Sequence, residues 1–186
     1  MNSNNDYYPP QIKSVPITAN DLSSVGIPPR FWSPKVNPFL AYPGPLSWWD
    51  KRFEYSSEGV GYLSLASSNS FTELASLVEL LKRLLSDGDR PFLSGSLASS
   101  CLFLRSSDIV RGNFDWEELN SVGYLLVASI GVGFNDRVES LLSDLFRSRY
   151  ESGAVTFYHI VERLGDKEFL GRIVKLIPEG AYVVAP

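Results

Sequence analysis

The sequence is poor in the side chains that most enzyme chemistry needs. It has one histidine, one cysteine and one methionine in 186 residues. A single imidazole, His159, excludes histidine-cluster metal sites and any mechanism that pairs two histidines. Standing alone at a strand end, it reads first as a hydrogen-bonded structural residue. Cys101 forbids a disulfide within the chain. Its apolar setting, Cys101-Leu-Phe-Leu104, suits a buried thiol in a reducing, cytoplasmic compartment. Positive charge is not in excess: 17 Lys and Arg face 21 Asp and Glu, a net charge of −4. Such a chain lacks the basic field of a protein that wraps nucleic acid, so direct contact with nucleic acid is not expected. No apolar run reaches the roughly 20 residues of a membrane span, and the polar N-terminus does not read as a signal peptide. Proline is scarce after residue 50, where only Pro91, Pro178 and Pro186 remain.

What is present is an ordinary globular balance, 44% hydrophobic and 20% charged, enough for one core. Residues 1–20 are polar, contain Tyr7-Tyr8-Pro9-Pro10 and read as a flexible arm. Residues 21–55 form a proline- and aromatic-rich segment in which long helices and central strands are forbidden. Phe31, Trp32, Phe39, Tyr42, Trp48 and Trp49 are interleaved with its prolines. Packing on the chain's own domain is the simpler reading of so many aromatics, and binding a partner is the other.

From residue 56 the pattern changes. Gly59 to Leu65 reads as a core strand. After the small polar loop Ala66 to Ser70, Phe71, Leu74, Leu77, Val78, Leu81, Leu84 and Leu85 make a helical stripe over 71–86. Residues 87–100 are a Gly/Ser-rich loop, whose Ser96, Ser99 and Ser100 lack the context of a nucleophile elbow. Cys101–Leu104 is a second short strand. Phe114–Leu119 reads as a short helix whose acids, Asp115, Glu117 and Glu118, favour its N-terminal end. Tyr124–Ser129 is a continuous apolar strand, followed by a helix over 136–150 on Val138, Leu141, Leu142, Leu145, Phe146 and Tyr150. Val155–Tyr158 is the next strand, so this stretch is a βαβ unit. A short helix over Asp166–Val174 and a last strand at 182–185 follow. The alternation predicts one three-layer α/β domain over 56–186 with a mostly parallel sheet.

In such folds ligands bind beyond the carboxyl ends of the strands. A phosphate loop needs glycines and a lysine at the first strand-to-helix turn. Ala66–Ser70 has neither, and Lys82 lies about three turns into the helix. An ATPase also needs acids at the end of the Tyr124 strand, which closes instead on Ala128 and Ser129. Arg147, Arg149, Arg163 and Arg172 could together form a small basic patch able to touch phosphate.

In order and spacing, residues 26–184 nevertheless resemble the AAA+ helicase loaders and the related IstB-type ATPases. Gly26-Ile-Pro-Pro-Arg-Phe31 resembles the segment before their ATPase core. Gly61-Tyr-Leu-Ser-Leu65 and Phe71-Thr-Glu-Leu-Ala75 resemble their P-loop strand and helix, and Leu125 to Gly131 their Walker B strand. Leu145 to Gly153 resembles the helix end before their sensor strand, and Leu164 to Ile173 their arginine-bearing C-terminal segment. The resemblance implies a P-loop-NTPase-like, AAA+-like fold. It places Phe71 on the lysine position, with Ser70 before it and Thr72 on the metal-binding hydroxyl. Ala128 and Ser129 fall on the Walker B acids, His159 near the sensor, and Arg172 on an arginine that contacts nucleotide. The expectation is a pseudo-ATPase without cofactor or metal. It would dock on a protein, an AAA+ ATPase or a helicase-loading component of replication, through Arg30, Phe31, Trp32, Trp48, Trp49, Arg147, Arg149 and Arg172. Self-association into a homo-oligomer is the structural alternative. A divergent ATPase with Mg-dependent turnover, or a single-stranded nucleic-acid binder with salt-dependent affinity, are the other classes.

Overall fold

The computed structural model describes residues 16–33, 37–66, 71–86, 101–112, 114–131, 135–161 and 167–184. Five strands form one all-parallel sheet: β1 (Gly61–Ala66), β2 (Cys101–Arg105), β3 (Tyr124–Ile130), β4 (Val155–Val161) and β5 (Tyr182–Val184). Their spatial order is β2-β3-β4-β1-β5, so β4 is central and β3 and β1 flank it. Leu126 of β3 pairs with Phe157 of β4, which pairs in turn with Tyr62 of β1. Neighbouring parallel strands need crossovers long enough for a helix, which explains the strand–helix alternation in the sequence.

The apolar stripes become the two covering layers. On one face, the sixteen-residue helix α4 (Phe71–Ser86) buries Leu74, Leu77, Val78, Leu81 and Leu84 against Leu126, Val155 and Phe157. The segment before β1 lies on this same face, broken by its prolines into short pieces. These are α1 (Ala19–Ser24), 3₁₀ turns at Pro29–Phe31 and Pro38–Leu40, α2 (Gly44–Asp50) and α3 (Arg52–Ser57). Thr18 and Asp21 form a reciprocal cap at the start of α1. The indole of Trp48 is fully buried, donates to the carbonyl of Val60 at 2.9 Å and meets the Phe157 ring edge-on at 4.9 Å.

The opposite face carries α5 (Ser106–Arg111), α6 (Trp116–Ser121), α7 (Asp136–Glu151) and α8 (Lys167–Val174) over Leu63, Leu125, Val127, Tyr158 and Ile160. Asn135 caps α7 by accepting from the Val138 N–H. Asp115 caps α6, accepting from Glu117 and Glu118, so this acidic cluster is a helix start.

Three local features depart from the stripe reading. Phe71, first in its stripe, is 54% exposed. On α7, Tyr150 is exposed and Arg149 takes the buried place beside Leu145 and Phe146. A helix over 106–111 fills the gap left after the second strand. The edge of β2 is covered, because the Phe103 N–H donates to the Val25 carbonyl at 2.8 Å. Gly26 is needed there: its φ is +77°, and a Cβ would lie 2.8 Å from the Phe103 carbonyl oxygen. No helix among the described residues is long and apolar enough to cross a membrane.

Candidate functional site

The site to examine lies beyond the carboxyl ends of β1, β3 and β4, where α/β folds of this kind hold ligands. Residues 67–70, between β1 and α4, lie outside the described residues, and Ser70 is one of them. Phe71 is the first residue of α4, and Thr72 is half-buried. The Phe71 ring stacks on Phe31, centroids 5.2 Å apart and planes 17° from parallel. The exposed Arg30 guanidinium lies 4.8 Å from the Phe31 centroid and 5.8 Å from that of Phe71. An aromatic pair under a cation therefore stands at the start of α4.

The end of β3 is held by side chains. Ala128 is fully buried. Ser129 adopts φ +59°, a left-handed backbone that is uncommon for any residue but glycine. The pairing of β3 with β4 shifts register between Val127 and Ile130, as it does around an irregular residue. Both backbone groups of Ser129 are engaged. Its N–H donates to Nδ1 of the fully buried His159 at 3.0 Å, and its carbonyl accepts from Ser106 Oγ at 2.6 Å. Because Nδ1 is the acceptor, neutral His159 carries its proton on Nε2. Two residues beyond Ser129, a Cβ on Gly131 would meet the Val161 carbonyl at 2.8 Å and the Phe169 ring at 3.1 Å. Phe169 of α8 thus closes over the strand end. On β1, Ser64 donates to the Tyr42 hydroxyl at 3.3 Å, and that hydroxyl pairs with Tyr62 at 3.2 Å.

The arginines do not form one patch. Arg149 is fully buried. It spends Nε on Thr156 Oγ1 and its terminal nitrogens on the carbonyls of Leu119, Val122 and Val155. Burial lowers its pKa to about 10. It is a structural staple near the start of β4, the sheet end opposite to the ligand edge, and it cannot meet a partner. Arg172 of α8 is half-exposed and paired with Glu139 and Asp136 of α7. The hydrogen bond that Arg172 donates to Glu139, and the charge of that carboxylate, raise the Arg172 pKa. Arg147 is exposed on α7, two turns beyond Glu139 and about 12 Å along the axis. Arg163 lies outside the described residues.

The aromatic candidates also divide. Phe31 and Trp48 belong to the core. Trp32 is half-buried, with its indole N–H donating to the Ile27 carbonyl at 2.7 Å. Trp49 is half-buried, with Arg52 4.3 Å and Arg83 5.9 Å from its ring. Of the set, Arg30 and Arg147 are the fully surface-lying members. Sequence reasoning missed Ser106 and the left-handed backbone of Ser129. The sequence offered one signal for the first, since Asp108 accepts from the Arg105 N–H at the start of α5 and Gly112 follows its end.

A solved structure decides the fold. The crystal structure of the DnaC helicase loader superposes on this chain with a TM-score of 0.55 at 14% identity, covering 86% of this chain and all of that one. The fold is AAA+-like. No family model matches the sequence, and no curated protein matches it either. At that identity the likeness is one of architecture: a P-loop-type α/β domain with an all-parallel five-stranded sheet.

Proposed function

We propose that this protein is a non-catalytic, AAA+-like docking module that binds another protein. Its partner would be an AAA+ ATPase or a component of helicase loading. The observation that carries the reading is the end of β3. Phosphoryl transfer needs carboxylates there to hold magnesium and orient water, and lysine at the first turn to balance phosphate charge. This strand instead ends on buried Ala128 and half-buried Ser129, and the N–H and carbonyl of Ser129 are taken by His159 and Ser106. Phe71 stacks on Phe31 at the start of α4. Arg172 is engaged by two acids of the same chain. These substitutions remove the electrostatics of turnover while leaving the scaffold intact. A scaffold without its chemistry retains its faces, and the solved neighbour of this fold is itself a helicase loader.

Two measurements test the proposal. Calorimetric titration with ATP and magnesium should show no binding in the micromolar range, and no phosphate should be released. Micromolar binding with turnover would convert the reading to a divergent ATPase. Mixing the protein with the replicative helicase and the AAA+ loader of its own host should give a complex by size exclusion with light scattering. Absence of a complex with either would refute the replication partner.

A further inference from the structure

We infer that Arg30 and Phe71 form the contact point of this docking surface, and that they receive an acidic–aromatic segment of the partner. The inference rests on the docking reading above and names its site.

Phe71 is the first residue of α4 and more than half exposed. Exposed phenylalanines usually lack a ring partner, but this one has one. It stacks on Phe31, which is 3% exposed and belongs to the same core cluster as Ile27, Leu77 and Val78. A ring immobilised in the free protein costs little further entropy on binding, which is the property of an interface anchor. Arg30 adds charge. It lies over both rings, is exposed, and among the described residues makes no ion pair and no hydrogen bond. Of the other candidate cations, Arg147 is also exposed but lies on α7, on the opposite face of the sheet from α4. Arg172 is paired with acids, Arg149 is buried, and Lys82 holds Glu79. The N-terminal end of a sixteen-residue helix adds partial positive charge at the same corner, partly offset by Glu73 in its first turn.

An unpaired guanidinium beside a preordered apolar ring is complementary to a carboxylate next to an aromatic or large apolar side chain. It is a poor match for nucleic acid. One cation at this corner meets one phosphate, whereas affinity for a strand needs several, and the chain carries a net charge of −4.

The probe is a short fluorescein-labelled peptide of alternating aspartate and phenylalanine, read by anisotropy with the full chain. The control peptide carries lysine for aspartate. The acidic peptide should bind, weaken as salt rises, and lose about tenfold or more in affinity to Arg30→Glu and to Phe71→Ser. Arg137→Ala, on exposed α7, should leave binding unchanged. Because both positions are at the surface, melting curves should show the variants folded. Equal binding of the lysine peptide, unchanged affinity in both variants, or preference for oligo-dT over the peptide would overturn the inference. The variants also separate the two proposals. A helicase or loader complex that survives Arg30→Glu and Phe71→Ser leaves docking standing and removes this surface. Peptide binding that is lost in both variants, with no such complex, keeps the surface and removes the replication partner.

Discussion

Arg149→Met should cost the fold about 3 kcal/mol. The wild-type guanidinium is wholly buried, and no ion pair accompanies it among the described residues. Its stabilisation comes from four hydrogen bonds: Thr156 Oγ1 at 2.9 Å and the carbonyls of Leu119, Val122 and Val155 at 2.5, 2.9 and 2.7 Å. These bonds join the end of α6, the turn after it and the start of β4 to α7. Hydrogen bonds from a charged donor contribute about 1.5–3 kcal/mol each, and an acceptor stranded in the interior costs about 1–3 kcal/mol. Methionine recovers part of this by filling the volume and by lifting the desolvation of a buried charge, a gain of a few kcal/mol. Because such bonds are not additive, the expected loss is set at the low end of the ~3–5 kcal/mol typical of breaking a buried charged network, about 3 kcal/mol, or roughly 6–12 °C in Tm for a chain of this size. Urea unfolding followed by tryptophan fluorescence measures it, since Trp48 sits in the core. The pH dependence is also defined. Burial lowers the Arg149 pKa to about 10 in the folded state. Below about pH 9 the group is charged in both folded and unfolded chains, so the two bind equal protons and the deficit should be flat with pH. Above about pH 10 the unfolded chain holds a proton that the fold has shed, and wild-type stability gains from this group as pH rises. A Met variant within about 1 kcal/mol of wild type, or a Lys variant equal to it, would refute the account of the staple.

Gly61→Ala should destabilise the sheet by more than about 3 kcal/mol, because an added Cβ would sit 1.6 Å from the Thr156 carbonyl oxygen on the neighbouring strand. An unchanged melting curve would show that β1 and β4 are not so close. Ser129→Val should lose about 1–3 kcal/mol because a β-branched residue resists φ +59°, while Ser129→Gly should stay within about 1 kcal/mol. Equal melting temperatures for the two variants would contradict the left-handed assignment. Leu126→Asp places an unpaired carboxylate between two layers and should abolish folding, which far-ultraviolet circular dichroism would detect.

The elements that were legible in the sequence are those with a strong period. The stripe from Leu74 to Leu84 and the run from Val138 to Phe146 fix α4 and α7 within a residue or two, and the apolar runs at 124 and 155 fix the inner strands. The proline-rich segment was legible as aromatic and irregular. Its placement on the α4 face, with Trp48 against Phe157, depends on partners more than a hundred positions away and leaves no local trace. Arg149 is instructive because its signal was present. It stands four positions after Leu145 and three after Phe146, on the buried stripe, and charge alone argued for the surface. What wins is the set of carbonyls left open by the end of α6, which periodicity cannot display. Phe71 errs the other way, an apolar residue in register with the stripe that stays exposed because α4 begins there. The Ser129 backbone has no sequence signal at all, since serine gives no preference for that conformation.

The seat of Trp48 has a consequence during synthesis. Its ring needs Phe157, and the segment around it also needs the β2 edge that Val25 covers. The aromatic N-terminal layer therefore leaves the ribosome first and is buried last. At roughly 5–20 residues per second, its tryptophans wait on the order of ten seconds for β4 to be translated. Through that interval the nascent chain displays indole and phenyl rings with no sheet to receive them. A transcript truncated anywhere before β4 would leave them exposed for good. Such fragments should be chaperone clients and aggregate, whereas the full chain, once β4 pairs with β1 and β3, closes both faces together.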